Sequence, residues 1–181
     1  STVYLEKAAG SIRKTQWDLV SVKKGDILIN MDSQAPNKAA EEWLLSREFF
    51  QNLRFLKPEC RYGDSRFDFY GERDGERPFF MEVKGVTLEK DGAVYFPDAP
   101  TERGIKHIRE LCRCMEEGYD AYLLFVIQME GVRFFSPNDS THPAFGDALR
   151  EAAEKGVHLL ARECRVTPSS MEITNPVPIC L

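Results

Sequence analysis

The chain has 181 residues, 43% of them hydrophobic and 29% charged, which is the balance of an ordinary globular protein with room for one full domain and part of another. Its longest apolar run, residues 121–127, falls far short of a bilayer-spanning segment, and no signal peptide is legible at Ser1. The formal net charge of −5 does not favour a polyanionic partner, but it does not exclude one: a metal-dependent site is itself acidic, and cations can gather locally, as at Arg61, Arg66, Arg103, Lys106, Arg109 and Arg113.

Residues 2–28 read as two or three strands. They begin with Val3-Tyr4-Leu5 and a turn at Ala9-Gly10-Ser11, then alternate from Trp17 to Val22 and turn at Lys24-Gly25-Asp26 into Ile27-Leu28-Ile29. This is too little for a domain of its own, so residues 1–30 are expected to be an edge layer on a larger domain or the tail of another one. A turn-and-cap cluster from Asp32 to Asn37 introduces a helix expected over residues 36–50, with Ala39, Ala40, Trp43, Leu44 and Phe50 as its buried stripe. Glu42 falls beside that stripe. An acid there is ordinarily solvated; the functional alternative is an acid aimed at a metal held by the sheet.

Residues 55–62 lead into two strands, Asp64 to Tyr70 and Phe79 to Gly85. Val94-Tyr95-Phe96 is a short extended piece. Pro97 to Thr101 breaks it and caps a helix expected over residues 101–117, stopped by Gly118, with Ile105, Ile108, Leu111, Cys112 and Met115 as its core stripe. Arg103, Lys106, His107, Arg109 and Arg113 are left on the other faces. A solvated basic face is the plain account of them, but free N–H groups and cations at a helix start also suit phosphate. Residues 121–128 form a central apolar strand, and 132–135 are expected to pair antiparallel with it. A helix over 143–155, a long strand over 157–166 and an edge strand over 169–173 complete the order. The pattern is α/β with a mixed sheet.

Cys60, Cys112, Cys114, Cys164 and Cys180 are odd in number and contain no C-x-x-C pair, so they are read as reduced thiols of a cytoplasmic protein. His107, His142 and His158 are scattered, which argues against a zinc site.

The chemistry centres on Asp68, Glu82 and Lys84. Strand alternation puts Phe67 and Phe69 on one face with Arg66, Asp68 and Tyr70 on the other; Phe79, Met81 and Val83 share a face, and Phe80, Glu82 and Lys84 share its opposite. Two carboxylates can hold a hard divalent cation, and a lysine beside them can orient water or offset charge on phosphate. Parity decides whether the acids meet. A two-residue turn at Asp74-Gly75 would set Asp68 against Met81 and away from Glu82, whereas an odd-length connection or a bulge sets it against Glu82.

Phe67-Asp68 followed by Glu82-Val83-Lys84 resembles the PD-(D/E)XK nuclease superfamily. More closely, Ser65-Arg66-Phe67-Asp68-Phe69, Glu82-Val83-Lys84-Gly85-Val86-Thr87-Leu88 and above all Tyr95-Phe96-Pro97-Asp98-Ala99-Pro100-Thr101-Glu102-Arg103-Gly104 resemble the sugar fermentation stimulation protein (SfsA) family, as do Lys106-His107, Arg109-Glu110-Leu111 and Phe135-Ser136-Pro137. The resemblance covers residues 17–173. Asn37-Lys38-Ala39-Ala40-Glu41-Glu42 resembles that family's N-[RK]-x-x-x-E helix, which makes Glu42 rather than Glu41 the match to the superfamily's leading helix acid.

The resemblance implies a mixed central sheet flanked by helices with a nuclease-like core over residues 31–181, after a partial OB-like β segment in residues 1–30. It implies DNA as partner, bound without much sequence preference, and regulation of sugar-use genes. Mg²⁺ or Mn²⁺ would bind Asp68, Glu82 and the carbonyl of Val83. Lys84 would position a water for in-line phosphodiester hydrolysis, and Glu42 would hold a second metal or its water. Arg66, Arg103, Lys106 and His107 would face phosphates. Binding without cleavage, enzymatic action on RNA or a nucleotide, and a structural or protein-interaction role with the charged cluster as a buried ion-pair network stay open as alternatives, as does a homodimer; no membrane partner is expected.

Overall fold

A strand with no polar face must be covered on both sides, and the run after Asp120 is such a strand. In the computed structural model, which describes residues 2–7 and 16–181, it lies in the middle of the sheet. The elements are β1 (Thr2–Lys7), β2 (Trp17–Lys24), β3 (Ile27–Asn30), α1 (Ala35–Leu45), β4 (Leu53–Tyr62), β5 (Ser65–Arg73), β6 (Phe79–Val86), β7 (Leu88–Lys90), β8 (Ala93–Phe96), α2 (Glu102–Glu116), β9 (Asp120–Ile127), β10 (Phe134–Pro137), α3 (Pro143–Glu154), β11 (His158–Thr167) and β12 (Ser170–Pro176). The turn expected at Ala9-Gly10-Ser11 lies outside the described residues.

Six strands form the main sheet in the order β12-β11-β9-β6-β5-β4, with β6, β9 and β11 parallel and the outer strands antiparallel. Each face of β6 serves a different core. Phe79, Met81 and Val83 pack with Ala39, Ala40, Trp43 and Leu44 of α1. Phe80 and Val86 pack with Ile105, Ile108 and Leu111 of α2, and Phe145 and Leu149 of α3 join the same cluster. The architecture is therefore a mixed sheet between one helix and two. A small sheet, β10-β8-β7, and the antiparallel sheet β1-β2-β3 lie beside it. β3 is tied to the main sheet by Gln128, whose Nε2 donates to the Asn30 carbonyl at 3.0 Å and whose carbonyl accepts from Asn30 N at 2.9 Å.

Three expectations are corrected. First, β10 does not pair with β9; it runs parallel to β8, and Arg133 N donates to the Gly92 carbonyl at 2.7 Å to hold it there. Second, α1 stops at Leu45. Ser46 Oγ donates to the Trp43 carbonyl at 2.8 Å and Arg47 turns to a φ of 62°. The chain then folds back so that Phe49 stacks on Trp43, with centroids 4.7 Å apart, and Phe50 meets Phe79 at 4.8 Å. Burying two rings outweighs one more helical turn. Third, Phe67 and Phe69 do not share a face. Phe69 joins the α1-side core, whereas Phe67 packs on Phe80, 5.4 Å away, on the α2 side. The switch falls at Asp68, opposite which Glu59 of β4 takes a φ of 53°. Among the described residues, no helix is long and apolar enough to cross a membrane. All five cysteines are free.

Candidate functional site

The site begins where two paired strands part. β5 and β6 pair only through Phe69–Met81, Tyr70–Phe80 and Gly71–Phe79. The connection between the strands, residues 74–78, is five residues long. That odd length gives the parity which, carried one residue further, sets Asp68 across from Glu82. The ladder ends there and a carboxylate takes over: Asp68 Oδ2 accepts the Val83 N–H at 2.7 Å. Its other oxygen accepts from Asn37 Nδ2 of α1 at 2.8 Å. A residue in an extended strand turns its N–H and C=O to the same edge, so the Val83 carbonyl opens onto this gap too. Each Asp68 oxygen keeps a lone pair beyond the bond it makes.

Glu82 is buried, with 3% of its surface exposed. Its Oε1 accepts from Lys84 Nζ at 2.7 Å and also from His107 Nδ1. Its Oε2 is buried without any partner. The two acids are unlike electrostatically. Burial and the neighbouring Glu82 charge push the Asp68 carboxyl above the usual range, against the opposing pull of the Val83 and Asn37 hydrogen bonds and of Lys84. Burial would also raise Glu82, but the His107 bond and the Lys84 charge together outweigh it and hold that carboxyl below the usual range.

α2 brings the cations. Thr101 caps it, its Oγ1 accepting from Gly104 N at 3.0 Å. A Cβ on Gly104 would sit 2.8 Å from Thr101 Cγ2 and 3.2 Å from Phe145, so only glycine lets this turn close against α3. His142 Nδ1 accepts from Thr101 N at 3.2 Å, fastening the same turn. The first turns thereby present Arg103, Lys106 and His107 to the hairpin of β4 and β5. Together with Arg61, Asp64, Ser65 and Arg66 they line an open cleft of about 480 Å³, in which Asp64 is the one acid among the cations. Arg66, Arg103, Lys106 and His107, the four residues expected to face phosphate, are thus gathered in one place. His107 is buried at 5% exposure, not on a solvated basic face, because it answers Glu82.

Glu42 is not brought to the acids. It lines a recess of about 100 Å³ with Ala39, Trp43, Ser46, Glu172 and Ile173, on the β12 side of α1. The α1 flank that meets Asp68 carries Asn37, and Glu41 stands one turn above it. Asn37 is therefore the site residue that motif spacing overlooks: the motif gives it only as part of the helix signature, whereas the structure makes it a partner of Asp68.

Among the described residues, no three His, Cys, Asp or Glu side chains gather as a metal cluster. The fit for a cation rests on a smaller donor set: Asp68, the partnerless Glu82 Oε2 and the Val83 carbonyl. That set suits a hard ion such as Mg²⁺, which keeps several waters and takes one or two carboxylates. The groups are oxygens throughout, which disfavours softer metals.

The family model described as the sugar fermentation stimulation protein (SfsA) RE domain matches residues 34–170. The chain is 52% identical over 180 residues to a sugar fermentation stimulation protein homolog of Desulfitobacterium hafniense, strain DSM 10664 / DCB-2, across 99% of this chain and 78% of that one. It is 50% identical over 181 residues to a homolog of Clostridium beijerinckii, across 100% of this chain and 80% of the relative. A solved structure, SfsA of Pyrococcus furiosus in complex with Ca²⁺, is similar with a TM-score of 0.83 at 25% identity, across 99% of this chain and 78% of that one.

Proposed function

This chain belongs to the sugar fermentation stimulation protein family, and from that premise we propose that it is a DNA-binding protein with a divalent-metal-dependent, nuclease-like site that hydrolyses phosphodiester bonds. The observation that carries the reading is the buried, partnerless Oε2 of Glu82, on a carboxylate whose charge is felt by Asp68 at the gap where β5 and β6 part. A buried carboxylate oxygen left without a partner is costly in any protein. A cation bound there would remove that cost. The Ca²⁺ in the Pyrococcus furiosus relative is consistent with such an ion; for this chain we propose Mg²⁺ or Mn²⁺.

Asp68, Glu82 and the Val83 carbonyl would hold the metal, which when bound supplies Lewis-acid polarisation of a phosphoryl oxygen. The chain's own residues do the rest. Lys84 Nζ, 2.7 Å from Glu82 Oε1, is held in reach of a water at the acid pair and would orient it for in-line attack. Arg61, Arg66, Arg103 and Lys106 would take the phosphates on either side, as point charges and forks in an open cleft rather than as readers of base edges. The core is then of the PD-(D/E)XK kind, with α1 contributing Asn37 where the motif suggested an acid. Five free cysteines suit a reducing cytoplasm.

The test is cleavage of single-stranded, double-stranded and branched DNA in Mg²⁺ or Mn²⁺, with Lys84→Ala in parallel. Metal-dependent cutting that is lost in the variant supports the reading; equal cutting by both proteins refutes it. A second reading, DNA binding without cleavage by a regulator of sugar-use genes, draws on the basic cleft, whose side chains need no metal to stand where they do. Gel shifts that persist in EDTA, with no cleavage in any metal, would favour it.

A further inference from the structure

His107 does not have the surroundings of a phosphate ligand. It is buried, its ring lies edge-on to Phe67 with centroids 6.2 Å apart, and both ring nitrogens are engaged. Arg103 Nε donates to Nε2 at 3.5 Å, so Nε2 is the acceptor and the ring proton sits on Nδ1. Nδ1–H donates to Glu82 Oε1, the same oxygen that takes Lys84 Nζ. The two donors differ in kind. Lys84 is a flexible point charge with three rotatable protons, and it would follow the carboxylate wherever it turned. His107 is fixed by its helix and its packing, and presents one proton in one direction.

We infer that His107 is a positioning residue: by pinning Oε1 of Glu82 it turns Oε2 to the gap shared with Asp68 and Val83, and Arg103 holds His107 in the tautomer that can do so. The inference rests on the metal reading proposed above and goes beyond it by moving His107 from the DNA contacts to the support of a metal ligand. Ligating carboxylates are held by hydrogen bonds of this kind, and loss of such a partner weakens metal affinity without removing a ligand. Arg103 then faces two ways, to the cleft and to the imidazole, and so links the cleft to the acid pair.

The experiment is calorimetric titration of the full chain with Mn²⁺, for wild type, His107→Phe, His107→Asn and His107→Gln, with unfolding midpoints in EDTA measured alongside. Phenylalanine keeps the ring and removes the donor, and should weaken Mn²⁺ binding by about 10–100-fold. Asparagine places an amide N–H where Nδ1–H was and should restore most of the loss; glutamine reaches the Nε2 position instead and should not. An affinity in His107→Phe equal to wild type, or Asn and Phe variants equally weak, overturns the inference. Affinity losses that merely follow the midpoints in EDTA overturn it as well. Wild type that binds no Mn²⁺ overturns the metal reading and this inference with it, so the two failures are told apart. Long-range ¹H–¹⁵N spectra of the wild type give an independent reading that needs no variant to fold: the proton is expected on Nδ1 of His107, and a proton on Nε2 alone would overturn the assignment.

Discussion

Asp68→Asn should cost the protein its metal and leave the metal-free fold no weaker. In the wild type the Asp68 carboxyl sits above its ordinary pKa, because burial and Glu82 penalise its charge by more than Val83, Asn37 and Lys84 favour it. A raised pKa contributes stability that is present below the ordinary carboxylate range and is lost as pH rises through the folded value. Above the ordinary carboxylate range the wild type without metal therefore carries the cost that burial and Glu82 place on an Asp68 charge. Asparagine removes it and keeps the geometry. Its Oδ1 accepts the Val83 N–H, its amide donates, and Asn37 turns its own amide to receive. With metal the order reverses. A cation at a hundred times its dissociation constant stabilises the native state by about 2.7 kcal/mol. For a chain of this size that is an upward shift of about 5–11 °C in Tm. The assay is thermal unfolding from pH 4.5 to 8, in EDTA and in saturating Mn²⁺. The variant should match or exceed wild type in EDTA at pH 8, its advantage should shrink toward pH 4.5, and Mn²⁺ should shift wild type alone. A variant that is clearly weaker in EDTA at pH 8, or one that keeps the Mn²⁺ shift, refutes the reasoning.

Lys84→Met removes one of the two groups that hold Glu82 below the usual carboxylate range. A depressed pKa contributes stability above that range and loses it as pH falls through the folded value, so the variant's deficit in EDTA should be largest at neutral pH and fade in acid; a deficit that grows toward acid would contradict this. The pair Arg66→Gln and Lys106→Gln changes side chains that are 60% and 54% exposed, so the unfolding midpoint should hold while DNA affinity falls alike for all sequences. If each side chain meets one phosphate, the salt slope measured by fluorescence anisotropy drops by about 1.8; an unchanged slope removes both from the DNA interface. Gly85→Ala would bring a Cβ within 2.5 Å of Gln128 Oε1 and 2.8 Å of Pro36 Cγ, forcing the start of α1 outward. The expected loss is about 1–3 kcal/mol in chemical denaturation, and a stability equal to wild type would mean that α1 yields freely. Glu42→Gln should leave Mn²⁺ affinity untouched while Asn37→Ala weakens it, as the two flanks of α1 require; calorimetry giving the opposite order would restore Glu42 to the site.

Most of the sheet was legible because its strands carry their environment in their pattern. β9 has no polar face and lies in the middle, and β6 alternates because two different cores claim its faces. What failed was non-local pairing. A short apolar run just after Gly131 reads as the return strand of a hairpin, yet β10 is held to β8 through Arg133 and Gly92, forty-one residues apart in sequence, and nothing within a local window records that. The face switch at Asp68 failed for a related reason. Alternation assumes an unbroken pleat, and the break is set jointly by Glu59 on the neighbouring strand and by the carboxylate that replaces a ladder bond.

The site was half legible, and helix phase explains which half. A motif with an acid five residues after Asn37 names Glu42, but five residues along an α-helix turn about 140° from the start. The stripe of Ala39, Ala40, Trp43 and Leu44 fixes the buried side of α1, so Asn37 and Glu41 flank it on one edge and Glu42 on the other. Sequence alone could reduce the question to two flanks; the Asn37–Asp68 bond decides between them. The same logic applies to α2. His107, Leu111 and Cys114 are spaced i, i+4, i+7, a buried stripe beside the more obvious one of Ile105, Ile108 and Leu111. A basic neighbourhood made His107 look solvated, whereas its phase put it against the sheet. An imidazole buried against a sheet must find hydrogen-bond partners there, and the side chain that could accept its proton, Glu82, was already named in the motif. The burial of His107 and the acidity of Glu82 are thus one fact seen from two elements, which is why a substitution at either should be felt at the other.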